Sequence, residues 1–351
     1  MLPDRYKPLT ATLIPGGFGA VQPVHDTYLD RTVLFKSMHD ADNNAQLANE
    51  VRALSRARSR HVVEIYDVIT DRVGAVQGII IELLEGRDYV QFWQEAPGDI
   101  RGYLKALYQI ALALSDLHAA GIVHRDIKLE NLKDSVSGIL KLFDFGISTT
   151  GADYRTVTNR GTMVYAAPEL YMAGAAINSP MDIYAFGICA WALASPALPA
   201  VLLEMPPQQS GVAPSIKTAL PDLPEDVAAL LDACLATEPS RRPSAASLRS
   251  LLGAHLIRWQ HRGLFVADQE RVYELSDAQR NVRIKIGNLG VLKVSYDGLV
   301  FRIDEVVPDV FVNNAPALVG ATLPDSCVLT FGADRGRQWV TFSSSHPEVM
   351  L

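Results

Sequence analysis

Residues 122–132 read IVHRDIKLENL, a stretch in which a histidine, an arginine, two acids, a lysine and an asparagine follow directly on an apolar helix. Charged side chains are costly to gather at the end of a core element unless something uses them, so this segment constrains the chain more than any other. The helix before it is read over 100–120, where Leu104, Leu107, Ala111, Leu114 and Leu117 share one stripe and Gly121 stands where a left-handed C-cap belongs. The fold has to supply something for the clustered charges to hold.

Other signals lie on either side. IPGGFGAV (14–21) falls between two strand-like runs. Its glycines let consecutive N–H groups point at one anion, although such a run is equally a hairpin turn. Lys36 ends the apolar strand TVLFKSM, and alone it reads as a lysine extending from an edge strand. In the helix DNNAQLANEVRALSRAR, however, Leu47, Val51 and Leu54 mark one apolar face, and Glu50 lies on or beside it. A carboxylate placed there wants a cation, and Lys36 is the candidate. Asp144 interrupts the apolar run LKLFDFGIS (140–148), and AAPE follows at 166–169.

Each signal is weak alone, but their order and spacing form the protein-kinase signature set. Over roughly residues 8–256 the sequence resembles the eukaryotic-type bacterial Ser/Thr protein kinases. The resemblance implies an α+β bilobal protein-kinase fold over 8–260, with an N-lobe at 8–84 and a C-lobe at 85–260; a small all-β, sandwich-like domain at 268–351, read below from the residues themselves, is expected to follow.

Carried over residue by residue, it implies that Gly16, Gly17 and Gly19 cover the phosphates of ATP with Phe18 at the loop tip and Val21 beside the nucleotide. Lys36 would hold the α- and β-phosphates and Glu50 would hold Lys36. Ile81 would guard the back of the adenine pocket, with the hinge from Glu82 to Leu84 binding the adenine edge. Asp126 would accept or orient the proton of the substrate hydroxyl, and Lys128 would neutralise the moving phosphoryl group. Asn131 and Asp144, both hard oxygen ligands, would hold Mg²⁺. The opening charges are then a base, a cation and a metal ligand presented to one triphosphate.

In the same family His124 is a core residue, and Asp182, Glu169 and Arg242 are structural braces. Arg125, ahead of Asp126, resembles the arginine that pairs with an activation-loop phosphothreonine, for which Thr156 and Thr158 are the candidates. Thr162 resembles the threonine that contacts the catalytic aspartate and helps select protein Ser/Thr substrates.

The sequence departs from the pattern in three places. Ile14 replaces the first loop glycine, Leu34 replaces the alanine that lines the adenine slot, and proline-rich sequence after 196 replaces a helix of the substrate lobe. The first two predict weaker or altered nucleotide binding. They also keep open a pseudokinase-like nucleotide-binding scaffold, while a small-molecule phosphotransferase is opposed by the APE and GT-x-x-Y stretches.

Beyond about residue 268 the chain is rich in β-branched residues, with turns at Gly-Asn and Asp-Gly, and reads as antiparallel strands after a boundary near 262–270. VFVNNAPALVGATLPDSCVLTFG (310–332) is similar to the last strands of forkhead-associated domains, β-sandwiches that bind phosphothreonine. The G-R, S-x-x-H and N-G-T elements that cradle the phosphate have no clear counterparts, and Arg335 and Arg337 read as a charged turn. This region is expected to serve either as a degenerate targeting module for a phosphoprotein or regulatory partner, or as a small β-module that packs against the kinase domain or a partner without binding phosphopeptide.

A net charge of −7 argues against nucleic acid as the main partner. Cys189, Cys234 and Cys327 are far apart in sequence, without metal-ligand spacing, and read as buried thiols of a reducing compartment. No secretory signal is recognisable, and the longest apolar region (187–203) is broken by Pro196 and Pro199, so it reads as a buried helix and its exit. A cytoplasmic protein with no membrane partner is expected.

Overall fold

The computed structural model describes residues 2–345 except 16–18, 39–43, 146–148, 151–162, 173, 268–270 and 334–335, together with 347 and 349. The chain folds as two compact units, Met1–Leu252 and Gly253–Met350.

The first unit begins with an antiparallel sheet of β1 (Tyr6–Pro8), β2 (Ile14–Pro15), β3 (Gly19–Asp26), β4 (Arg31–Met38), β5 (Ile65–Thr70) and β6 (Val76–Ile81). The strand order is β1-β3-β4-β6-β5, with β2 folded back on β3. Alternation sets which face is buried: Val24 and Val33, opposite one another in register, close a small core with Tyr6, Ile69 and Ile80. At the far end of that hairpin the buried Asp26 carboxylate takes Arg5 in a two-pronged contact of 2.7 and 2.8 Å. α1 (Asn44–Arg56) packs on β4 and β6 through Leu47, Ala53 and Leu54, all buried.

The rest of this unit is mainly helical. α2 (Ile100–Ala119) starts at Asp99, whose carboxylate caps the Gly102 N–H, and ends with Gly121 at φ +72°, the left-handed geometry expected there. Its stripe of Leu104, Leu107, Ala111, Leu114 and Leu117 is buried. β7 (Ile122–Val123), β8 (Leu132–Asp134), β9 (Leu140–Leu142) and β10 (Thr149–Thr150) form two short antiparallel pairs, β7 with β10 and β8 with β9. α3 (Ser179–Ala194) is apolar on nearly every face and buried on nearly every face, as a central core helix must be.

Between α3 and α4 (Glu225–Cys234) the proline-rich segment forms only short 3-10 turns at Ala200–Leu202 and Ile216–Thr218. Gln208 staples it to the core, donating to the Leu235 carbonyl at 2.7 Å and accepting from the Ala213 N–H at 3.0 Å. α5 (Ala245–Leu256) runs to the end of this unit and into the next. Among the described residues no helix is long and apolar enough to cross a membrane.

The second unit contains β11 (Gly263–Val266), β12 (Val272–Leu275), β13 (Asn281–Ile286), β14 (Gly290–Tyr296), β15 (Phe301–Val307), β16 (Val310–Val312), β17 (Ala315–Pro316), β18 (Ser326–Phe331) and β19 (Gln338–Ser344). They form one sheet in the order β12-β11-β19-β18-β16-β17 and another in the order β13-β14-β15. β13 shows the period-2 rule directly, with Val282, Ile284 and Ile286 buried and the residues between them exposed. Both sheets contribute to one apolar cluster containing Phe265, Leu292, Phe301, Leu329 and Phe342. Trp259, ahead of the compositional change, packs edge-on against Tyr296 at 5.5 Å, and its backbone N–H donates to the Gly298 carbonyl at 2.9 Å.

Candidate active site

A cavity of about 380 Å³ lies between the N-terminal sheet and the β8–β9 hairpin of the first unit. Val21 of β3 and Leu34 of β4 line one side, the segment Glu82–Leu84 leaving β6 lines the edge, and Lys133 of β8 lines another wall. Leu34 is paired in register with Ile81, and both line the cavity. Ile14 also lines it, half-exposed on β2.

Lys36 projects into this cavity from β4. Its Nζ lies 2.8 Å from both carboxylate oxygens of Glu50 and 2.9 Å from Oδ1 of Asp144. Glu50 is only 1 % exposed, and α1 carries it there because its neighbours Leu47 and Leu54 bury that helix face. Burial opposes the ammonium charge, but the two carboxylates outweigh it and hold the Lys36 pKa above its ordinary value. The same contact holds Asp144 below the usual carboxylate range against the opposing effect of its own burial.

The polar loop that follows β7 is fixed from below. Asp182, at the start of α3 and 1 % exposed, accepts the backbone N–H groups of His124 and Arg125 at 2.9 and 2.8 Å, and its Oδ2 also meets His118 Nε2 at 2.9 Å. His124 is fully buried and edge-on to Phe145 at 4.6 Å, and burial lowers its pKa, so it is a neutral core imidazole. Arg125 and Asp144 both take positive φ, +74° and +66°, which is strained for residues with a Cβ. This twist occurs on the two segments that carry the site.

Asp126 is held at its carboxylate by Lys128 Nζ (2.7 Å) and Asn131 Nδ2 (3.0 Å). With its amide nitrogen turned to Asp126, Asn131 presents its oxygen as a donor for a cation. Asp144 gives one oxygen to Lys36, so the pair offers hard oxygen atoms of the kind Mg²⁺ takes. Among the described residues no cluster of three or more His, Cys, Asp or Glu could hold a metal, so a cation here would depend on this mixed pair and its ligand's own oxygens.

The geometry gathers Lys36, Glu50 and Asp144 in one group that lines the cavity with Gly19, Val21, Glu82 and Leu84, and joins Asp126, Lys128 and Asn131 in a second group that is not part of that lining. Gly16, Gly17, Phe18, Thr156, Thr158, Thr162 and Arg335 lie outside the described residues. The brace between Glu169 and Arg242 is a two-pronged ion pair with both contacts at 2.7 Å.

Sequence reasoning passed over Lys133 and Lys141. Lys141 is 5 % exposed and its Nζ lies 2.8 Å from Glu82 Oε2, so β9 holds the carboxylate of Glu82 from behind the cavity. The only sequence signal was a lysine inside each of two short apolar strands.

Residues 11–251 match a family model described as a protein kinase domain. The chain is similar to a DNA damage-responsive serine/threonine-protein kinase of Deinococcus radiodurans, at 28 % identity over 302 residues covering 80 % of this chain and 44 % of that protein. It is also similar to a probable serine/threonine-protein kinase of Lactococcus lactis, at 30 % over 237 residues (63 % and 37 %), and to the maternal embryonic leucine zipper kinase of Xenopus tropicalis, at 31 % over 205 residues (56 % and 31 %). The chain spans less than half the length of each of these relatives.

Proposed function

The chain belongs to the protein kinase domain family, and from that premise we propose that it transfers the γ-phosphoryl group of ATP to serine or threonine hydroxyls of protein substrates. The observation that carries this reading is the Lys36–Glu50–Asp144 assembly, which lines the same cavity as the Glu82–Leu84 segment. Phosphoryl transfer asks the protein mainly for positioning and for charge opposite the triphosphate. Here Lys36 supplies a cation to the α- and β-phosphates and Glu50 orients it.

Asp126 orients the substrate hydroxyl and accepts its proton, while Lys128, already 2.7 Å from that carboxylate, offsets negative charge on the group in flight. Asn131 and Asp144 would hold Mg²⁺, which would supply positive charge opposite the phosphates. Gly16, Gly17, Phe18 and Gly19 cover the phosphates, Val21 packs on the base, and the backbone of Glu82 and Leu84 takes the adenine edge. Thr156 and Thr158 are sites of autophosphorylation, and Thr162 helps to select the acceptor.

The second unit is read as a β-sandwich of forkhead-associated type that recruits a regulatory partner. Two sheets with a shared core support this reading, while the phosphate-cradling motifs are missing from its sequence. A reducing, cytoplasmic setting is supported by the three buried, unpaired cysteines.

The test is incorporation of labelled γ-phosphate by the purified protein with Mg-ATP, beside Asp126→Ala and Lys36→Ala, followed by peptide mapping. Label on Thr156 or Thr158 that is lost in both variants is expected. Absence of label with ATP binding intact would replace the enzyme reading with that of a nucleotide-binding scaffold.

A further inference from the structure

The cavity is lined by two cations, and among the described residues only one of them is matched. Lys36 faces Glu50 and Asp144, whereas Lys133 makes no ion pair with any carboxylate among the described residues. The third lining acid, Glu82, is held by Lys141 at 2.8 Å.

Register makes this arrangement costly. Lys133 and Lys141 are directly opposite in the β8–β9 pair, so both side chains stand on one face of the hairpin, and like charges so placed are destabilising. Glu82 offsets one ammonium. Lys133, which carries the other, lines the cavity together with the apolar Val21, Leu34, Ile81 and Phe143.

We propose that Lys133 grips the base of a bound purine nucleotide, its ammonium lying against the electron-rich purine face. This rests on the nucleotide reading above and adds a specificity-determining contact to it. The carboxylates that line the cavity are each held by another lysine, and an ammonium over an aromatic face gains most when desolvated. The Lys133 contact therefore weakens the empty hairpin and strengthens the filled one.

The experiment measures binding of ATP and of adenosine by calorimetry, at low and high salt, for the full chain and its Lys133→Met and Lys133→Arg variants, with the ligand-free Tm of each. Adenosine carries no phosphate, so it isolates the base contact. Lys133→Met should weaken both ligands by the same factor, about three- to tenfold, while Lys133→Arg keeps them within about twofold. The ligand-free Tm of Lys133→Met should rise, because the like-charge pair is gone. Opposite signs on stability and affinity are what a purely structural lysine does not give.

Equal or tighter binding of both ligands by Lys133→Met overturns the proposal. So does weakening of ATP alone that vanishes in high salt, since the charge would then act on the phosphates. A fall in the ligand-free Tm overturns the like-charge premise. If the unaltered chain binds neither ligand, the nucleotide reading itself fails, a result separate from these.

Discussion

Nζ of Lys36 on β4 lies 2.8 Å from each carboxylate oxygen of Glu50 on α1, so a strand and a helix are joined at the point where the cavity is deepest in charge. Glu50→Gln replaces this charged pair with a neutral amide and leaves Lys36 to Asp144 alone. Phosphoryl transfer should fall about 10²- to 10³-fold, as when other preorganised charge is removed from a site. The KM for ATP should rise with it, because Lys36 is no longer held toward the phosphates. A variant with unaltered kcat and KM would show that the ion pair is only a structural tie.

Asp126→Asn keeps the shape of the loop but removes the proton acceptor. Transfer should drop about 10²- to 10⁴-fold, while the dissociation constant for ATP, measured separately, stays the same. Loss of ATP binding would mean that Asp126 serves the fold more than the chemistry.

Arg242 has a fully buried side chain and meets Glu169 at 2.7 Å through two nitrogens. Arg242→Ala leaves that carboxylate without its cation, a loss of about 3–5 kcal/mol. For a unit of this size that is a fall in Tm of roughly 6–20 °C, visible by calorimetry. A shift below a few degrees would contradict the brace.

Gly19 sits where β3 passes β4, and a Cβ there would collide with the backbone carbonyl oxygen of Ser37. Gly19→Ala therefore has to push the two strands apart at the mouth of the cavity. ATP affinity should fall by about tenfold, the equivalent of roughly 1.4 kcal/mol, with a smaller effect on adenosine, since the strain lies at the phosphate end.

His61 and His124 are buried, and burial lowers the pKa of both. Below about pH 6.5 the unfolded chain takes up protons that the native imidazoles refuse, so more protons are bound in the unfolded state and stability falls as pH falls. Each histidine contributes a slope of up to about 1.4 kcal/mol per pH unit in that window. Denaturant midpoints should be flat from pH 8 to 7 and then decline toward pH 5.5, less steeply in His61→Gln. A flat profile through pH 5.5 would refute this.

Much of the site was legible in the chain because its residue types recur in a set order. The charged loop after β7, the aspartate before Phe145 and the helix glutamate flanked by leucines each carried a local signal. Gly121 likewise marked the end of α2, since only a residue without Cβ takes φ +72° without strain. Lys133 and Lys141 carried no such signal. A lysine within a short strand is most often a solvated stem, and nothing local separates that case from a buried partner.

The sequence by itself determined the buried faces of α1 and α2, the strand-rich character of the second unit and the residue types that meet around the cavity, because periodicity, caps and residue chemistry act over a few neighbouring positions. Only the tertiary structure decided that Lys36 meets Asp144 across 108 positions of chain, that Lys141 reaches Glu82, and that Lys133 opens into the cavity. Those contacts depend on strand register and on how a helix lies against a sheet. Both are set by the summed packing of many apolar residues, none of which encodes the contact alone.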